Sequence, residues 1–281
     1  ALDLDQIILN ALSAGVAMQV WRCSAWSIDI DLSLMSALSH MLMAWQFDLP
    51  LYHLAGISPS ECERLYSRER VGFGGSPIQL VRFGERLQGC ASPAMMVSSG
   101  DFFMPAMIEQ VRERFPETLI HKLYGLTELG GRFCCLPHQE LMERKEAAGR
   151  PLPGFQARVQ ATGEGDDTGV IEAKTPLLAH GYYRSGGGFS PMPSEWFATG
   201  DVGRIDESGV ITIIGRSDDV FKVGGEKVDR HTIEDALQTI LVPNEYCVLA
   251  VRHRIVGQCP ALFIASGDGT AKLPSRTDII G

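Results

Sequence analysis

Residues 196–228, WFATGDVGRIDESGVITIIGRSDDVFKVGGEKV, leave this chain few folding options. Two apolar runs, Val202–Ile205 and Val210–Ile214, flank Asp206-Glu207-Ser208-Gly209, which predicts a β-hairpin. A Thr-Gly-Asp turn precedes it, and Gly-Arg, two aspartates and a Gly-Gly turn follow it. Asp201 offers two carboxylate oxygens, enough to hold both hydroxyls of a ribose. Arg216 adds a planar fork of donors that reaches the same sugar or a phosphate. Upstream, Tyr124-Gly125-Leu126-Thr127-Glu128 supplies an aromatic face, a hydroxyl and an acid, a set suited to a base, a phosphate and a magnesium ion. The two stretches together read as one nucleotide-handling device.

Periodicity places these residues in an α/β frame. Residues 1–20 have helical apolar spacing through Leu4, Ile7, Ile8 and Leu12, and Leu32–Trp45 reads as a second helix with Asp31 or Ser33 as its cap. ECERLYSRER (61–70) is predicted as a surface helix leading into a short strand at Val71-Gly72-Phe73. Pro105–Phe115 is predicted as an amphipathic helix with Met107, Ile108, Val111 and Phe115 on one face. Thr118–Tyr124 follows as a buried strand, which sets YGLTE at a strand's C-terminal end, where α/β sheets bind ligands. Arg184–Glu195, rich in Gly, Ser and Pro, is expected to be a mobile loop. Its triple glycine lacks the Lys-Ser/Thr of a phosphate loop. Beyond Asp218-Asp219 the texture changes: a helix over Asp229–Leu241 and strands over Glu245–Arg252 and Cys259–Ser266 belong to a strand–helix–strand–strand module of about 60 residues, which predicts a small lid. We therefore expect a large domain over 1–217 and a small α+β domain over 218–281.

Composition narrows the partners. A net charge of −9 argues against a nucleic-acid backbone or an anionic membrane as the main partner. The most apolar run, Leu32–Trp45, is too short to span a bilayer, and no signal peptide is visible. Seven cysteines, with Cys134 and Cys135 adjacent and no C-x-x-C pair, fit a reducing compartment better than a disulfide framework. These features predict a cytoplasmic protein. Cys134, Cys135 and His138 are too few and too crowded for a structural zinc, so two small buried thiols are the simpler reading.

Five blocks carry a family resemblance: VSSGDFF (97–103), YGLTE (124–128), GRPLPGF (149–155), WFATGD (196–201) and GRSDDVFKVGGEKV (215–228). In this order they resemble the adenylate-forming superfamily of acyl-CoA synthetases, peptide-synthetase adenylation domains and luciferases. Singly, Tyr124 reads as a core aromatic, Glu128 as a helix-start acid and Asp201 as a turn residue. Five blocks in family order make independent accidents a poor account. The resemblance implies ATP-dependent activation of a small carboxylic acid as an acyl-adenylate, with pyrophosphate released. A thioester with CoA or a carrier-protein phosphopantetheine would follow.

By the same resemblance, Tyr124 stacks on adenine while Ser99, Gly100, Asp101 and Gly125 line its edge. Thr127 contacts the α-phosphate, Glu128 holds Mg²⁺, Asp201 binds the ribose hydroxyls and Arg216 supports them. Asp218 falls at the family's hinge, and Gly224 and Gly225 fall where a pantetheine tunnel is lined. Ile30-Asp31-Leu32-Ser33 matches the string in which amino-acid-activating relatives pair an aspartate with the substrate ammonium, although helix capping explains Asp31 equally well. The family's phosphate-gripping loop and C-terminal lysine have no counterpart among the 281 residues, which predicts an internal piece of a longer enzyme and very weak adenylation by this piece alone. An intact mass near 31 kDa would count against the longer chain. The rivals are a stand-alone amino-acid adenylation enzyme and a degenerate homologue that binds a nucleotide or a partner without catalysis.

Overall fold

The computed structural model describes residues 1–86, 91–161, 167–184, 186–192, 195–217, 220–223, 226–237, 246–253 and 257–264. Short runs buried on both faces build its central sheet, as parallel strands require. The run AWSI forms β1 (Ala25–Ile28), followed by β2 (Leu51–His53), β3 (Val71–Gly75), β4 (Met95–Ser98) and β5 (Leu119–Tyr124). These five pair in parallel. Next, β6 (Cys134–Leu136) and β7 (Arg150–Pro151) add antiparallel strands, giving the order β2-β1-β3-β4-β5-β6-β7.

Alternation along these strands feeds two cores. Helices α1 (Leu4–Met18) and α2 (Met35–Gln46) pack with Trp26, Ile28, Met95, Val97 and Leu123 on one face. On the other, α3 (Pro59–Arg68), α4 (Pro77–Arg86) and α5 (Pro105–Arg114) join Ala25, Phe73, Met96 and Ile120, and a short α6 (His138–Leu141) closes that side. The α5 face is as expected: Ile108, Val111 and Phe115 are buried and Pro105 sits in its first turn.

Two helix expectations need correction. In α1 the buried stripe is Ile7, Asn10, Ala11, Ala14 and Met18, while Leu4 and Leu12 are exposed. Small residues face the sheet because α1 also packs closely on α2, where Gly15 admits the Phe47 ring. Helix α2 begins at Met35, not Leu32, and neither Asp31 nor Ser33 caps it: its N-cap is Leu34, with no side-chain hydrogen bond. The Asp31 carboxylate instead accepts from the Ser33 backbone N–H at 2.9 Å and the Ser33 hydroxyl at 2.7 Å, closing a local turn.

A second sheet follows: β8 (Gln156–Ala161), β9 (Gly169–Lys174), then a hairpin of β10 (Gly181–Tyr183) and β11 (Phe189–Pro191), then β12 (Phe197–Ile205) and β13 (Ile211–Arg216). Strands β13-β12-β9-β8 form one antiparallel sheet, and β10-β11 stand apart. The expected hairpin is present, with the Asp206 carboxylate accepting from the backbone N–H groups of Ser208 (2.9 Å) and Val210 (3.0 Å). Thr199-Gly200-Asp201 is not a turn before that hairpin. It lies inside β12, at a bulge where the register against β9 slips between Ala198 and Val202. The Arg184–Glu195 stretch is likewise not all loop, since β11 pairs with β10 around Gly186, Gly187 and Gly188 at positive φ.

In the C-terminal stretch, β14 (Val220–Val223) and β15 (Glu226–Asp229) precede α7 (Arg230–Leu237), β16 (Tyr246–His253) and β17 (Gly257–Ile264). Their sheet order is β15-β14-β17-β16, so the helix and the last two strands stand where expected, and two paired strands precede the helix in place of the one expected. No helix among the described residues is long and apolar enough to cross a membrane.

Candidate active site

The parallel sheet ends its C-terminal edge at Ser98 on β4 and Tyr124 on β5, and the chain after each strand turns into the same region. After Tyr124 the backbone folds back sharply: the Leu129 and Gly131 N–H groups donate to Leu126 O, each at 3.0 Å. Gly130 closes this 3-10 turn at φ +79°. Gly125 is forced by space. A Cβ there would stand 2.6 Å from the Arg132 Cα, against backbone that has nowhere to go. The Asn10 amide, buried on α1, donates to Leu129 O (3.0 Å) and Arg132 O (2.6 Å) and pins the loop from below.

The bulge in β12 brings Asp201 to the same place. Gly200 takes φ +80°, and Thr199 donates its hydroxyl to Ile171 O (2.8 Å) while accepting the Asp201 N–H (3.1 Å). Strand pairing sets Arg216 opposite Asp201. The Arg216 guanidinium donates to one oxygen of the buried Asp201 carboxylate at 3.0 Å, and the Tyr124 hydroxyl donates to the other. Burial first, and the Asp201 charge second, push the Tyr124 phenol far up, so it stays a donor at any physiological pH. A carboxylate accepts about four hydrogen bonds through its two oxygens, a capacity that suits Asp201 to sugar hydroxyls as well as to these two side chains.

A cavity of about 690 Å³ lies beside this cluster. Gly125, Leu126, Thr127 and Glu128 form one wall, Thr199, Gly200 and Arg216 another, and Leu34, Met35, Ser36 and Arg132 a third. Gly100 touches the rim at φ +91°, with open space where a side chain would project. Tyr124 and Asp201 are not among the lining residues, although their chain neighbours Gly125 and Gly200 are, and the Tyr124 ring tilts against Phe133 at 5.9 Å. Ser99 is buried with its hydroxyl unpartnered. Asp101 is exposed and accepts from its neighbour's N–H at 2.7 Å. Thus Gly100, Gly125, Thr127, Glu128 and Arg216 share one cavity, with Tyr124 and Asp201 joined behind it. Asp31 does not line it and is exposed, its carboxyl held below the usual carboxylate range by the Ser33 backbone and hydroxyl. Asp218, Gly224 and Gly225 lie outside the described residues.

Three contributors are not anticipated by the sequence. Tyr182, on the β10-β11 hairpin, donates its hydroxyl to Glu128 Oε1 at 2.7 Å, and burial with the Glu128 charge pushes its phenol up to about 12. Asn10 is hidden in an apolar helix, where a single amide on the buried face is the signal to look for. Arg132 follows two glycines, in a stretch with no periodic apolar pattern to signal burial, yet it is buried. Among the described residues no three His, Cys, Asp or Glu side chains are grouped to hold a metal. Glu128 therefore stands as a single carboxylate, the usual protein share of a Mg²⁺ bound chiefly by phosphates and water. Cys134 and Cys135 are buried thiols, the latter pushed up to about 12 by burial, and His138 accepts the Ile120 N–H at 3.1 Å.

Residues 37–183 match the family model described as AMP-binding enzyme. Among curated proteins, the 2-succinylbenzoate–CoA ligase of Bacillus mycoides is 29% identical over 196 residues, 68% of this chain and 40% of that protein. An enzyme of the same name from Bacillus cereus matches to the same extent. The chain spans about 40% of the length of the curated relatives it matches. Among solved structures, o-succinylbenzoate coenzyme A synthetase from Bacillus subtilis in complex with AMP superposes with a TM-score of 0.81 at 20% identity, over 99% of this chain and 57% of that one. ATP-bound MatB from Rhodopseudomonas palustris gives 0.77 at 22% identity, over 99% and 56%. At these identities the structural likeness speaks to the fold, which is the α/β fold of those neighbours.

Proposed function

The chain belongs to the AMP-binding enzyme family, and from that premise we propose that it forms the nucleotide- and acid-binding core of an AMP-forming carboxylate ligase. The observation that carries this reading is the Tyr124–Asp201–Arg216 cluster beside the Thr127 and Glu128 wall of one cavity. In the reaction, a carboxylate oxygen bonds to the α-phosphorus of ATP while the bond to the leaving pyrophosphate breaks. A thiolate then attacks the acyl carbon and AMP leaves. No protein nucleophile is needed, so the residues act by orienting groups and stabilising charge.

Tyr124 offers its ring to adenine, with Ser99, Gly100, Asp101 and Gly125 along the edge. Asp201 accepts from the ribose hydroxyls and Arg216 steadies the same sugar. Thr127 donates to the α-phosphate. Glu128, oriented by Tyr182, would hold Mg²⁺, which when bound neutralises phosphate charge. The unpartnered Ser99 hydroxyl, the acceptor capacity of the Asp201 carboxylate and the side-chain-free backbone at Gly100 all fit a nucleotide.

We assign CoA as the thiol acceptor in preference to a carrier-protein pantetheine, since the curated relatives are named CoA ligases. We also propose that the division into 1–217 and 218–281 is a hinged pair of domains, with Asp218 as the pivot and Gly224 and Gly225 lining the thiol path. The unpaired cysteines suit a reducing, cytoplasmic setting. Titration calorimetry with AMP tests the reading: saturable binding that weakens in Asp201→Asn is expected, and no heat of binding to the wild-type chain refutes it. ATP–pyrophosphate exchange against a panel of acids tests the activity itself.

A further inference from the structure

We propose that Asn10 and Gln6 on α1 are positioning residues for the Glu128 carboxylate: one helix holds both the turn that carries Glu128 and the hairpin that carries its partner Tyr182. The metal-holding role of Glu128 rests on the function proposed above, whereas the hold of α1 on both elements is independent of it.

Packing gives no reason for an amide at position 10. Asn10 is fully buried, and its companions on the inward stripe are Ile7, Ala11, Ala14 and Met18. Its amide hydrogens serve neither α1 nor α2. They go to Leu129 O at 3.0 Å and Arg132 O at 2.6 Å, the carbonyls on either side of Gly130-Gly131. Both partners are carbonyl oxygens, which fixes the orientation of the amide. Gly130 lies against the same side chain, since a Cβ added there would stand 3.0 Å from the Asn10 Cβ. The Asn10 Oδ1 has no hydrogen-bond partner among the described residues. A leucine branches at the same atom and would leave nothing unsatisfied on the helix side, so the two bonds to the turn account for the asparagine.

One turn earlier on α1, Gln6 treats the other element in the same way. Its Nε2 donates to Leu178 O at 2.9 Å, just before β10. At the helix start, Asp3 Oδ2 meets His180 Nε2 at 2.9 Å on the surface. Asp3, Gln6 and Asn10 follow the three- and four-residue spacing of a single helix face. Between the two anchorages, the Tyr182 hydroxyl donates to Glu128 Oε1 at 2.7 Å, and the Ala179 N–H donates to Glu128 O at 2.8 Å. Helix, turn, carboxylate, phenol and hairpin thus close a ring.

The ring answers a local weakness. The turn after Glu128 ends in Gly130 and Gly131, both at positive φ, and the hairpin pairs with neither large sheet. Left to themselves, two such elements would not keep a carboxylate oxygen within the fraction of an ångström that a ligating group needs. A rigid helix under both supplies the shared reference.

Two measurements on the 281-residue chain test this. The first needs no ligand. In Asn10→Leu the Leu129, Gly130 and Gly131 amides, which close the turn onto Leu126 O and Thr127 O, are expected to exchange with solvent at least about tenfold faster, with β5 amides unchanged. The second is calorimetry with ATP, with and without Mg²⁺. The gain in affinity that Mg²⁺ brings is expected to fall about fivefold in Asn10→Leu and about twofold in Gln6→Met. In a Tyr182→Phe background the Gln6→Met loss should nearly vanish, because its route runs through that hydroxyl. If Asn10→Leu does not fold, the half-buried Gln6→Met carries the titrations. A variant that melts earlier but keeps the full Mg²⁺ gain marks a merely structural amide and overturns the proposal. Unchanged exchange of the turn amides, or full additivity with Tyr182→Phe, overturns it as well. Faster exchange in a chain that binds neither ATP nor AMP sinks the nucleotide reading and leaves the hold of α1 on the turn standing.

Discussion

The two polar walls of the cavity are built on opposite principles. At the nucleotide wall the charges find partners within the protein: Asp201 takes a guanidinium and a phenol, Glu128 takes Tyr182, and Thr199 ties the bulge to Ile171. At the Arg132 wall that residue has only a long contact to a carbonyl, the neighbouring His40 has no hydrogen-bond partner, and α2 starts without a cap. The first wall is preorganised and tolerates any ligand that adds to existing bonds. The second is costly to the protein by itself.

Gly125 joins the two walls, so its replacement should have the largest effect. Gly125→Ala drives a methyl to 2.6 Å from the Arg132 Cα and into the Gly131 backbone. A cost of roughly 3 kcal/mol is expected from overpacking against backbone, together with loss of AMP binding. Urea denaturation and calorimetry read the two effects. An Ala variant of wild-type stability would mean that the turn can yield and that the walls are not rigidly coupled.

Asp201→Asn comes next and acts on the nucleotide wall alone. It keeps the side-chain shape but removes the charge that Arg216 and Tyr124 address. AMP affinity is expected to fall roughly 10–100-fold, from loss of charge-assisted bonds. An unchanged AMP affinity would show that the Asp201 charge does not hold the nucleotide.

How far the sequence reveals these walls differs too. The nucleotide wall is legible because its residues sit in contiguous blocks whose chemistry is local: YGLTE and WFATGD each carry several groups to one point. Even so, Thr199-Gly200-Asp201 reads as a turn, since a bulge in a long strand has the same Gly signature and only pairing with β9 distinguishes them. The Arg132 wall is nearly invisible. Arg132 is made a site residue by burial against α2, and burial of a lone arginine leaves no periodic trace. The α2 start is misplaced because Asp31 and Ser33 look like caps, while their hydrogen bonds close a separate turn upstream. Tyr182 stands on a hairpin concealed by a Gly-rich run that suggests a loop.

Acidification should weaken the fold around the central sheet. Burial, with Arg132 as a second cause, holds the His40 pKa well below its ordinary 6.5. His121, buried on β5, is held at about 3, also chiefly by burial. Below pH 6.5 the unfolded chain takes up these protons while the folded chain does not, so stability present at neutral pH is lost as pH falls. Each histidine contributes a slope of up to about 1.4 kcal/mol per pH unit. Urea midpoints should therefore drop between about pH 6.5 and about pH 5, and His40→Phe should flatten that drop whatever it does to stability at neutral pH. An unchanged slope would place a protonatable, solvated imidazole where the fold shows a buried neutral one.

The smallest effect belongs to Tyr182→Phe. The ring remains, and only the hydroxyl that donates to Glu128 at 2.7 Å is lost. With Tyr182 half-exposed, water replaces much of the bond, so overall stability should hardly move. The Glu128 carboxylate gains rotational freedom, and a ligand-holding carboxylate without its orienting partner binds more weakly. The expected result is a roughly twofold to threefold loss (about 0.5 kcal/mol) in Mg·ATP affinity with AMP affinity unchanged. This split is informative because AMP and Mg·ATP share Asp201 but only the latter engages Glu128 through a metal. If both affinities fell together, Tyr182 would be supporting the nucleotide wall as a whole, and the metal role proposed for Glu128 would lose its support.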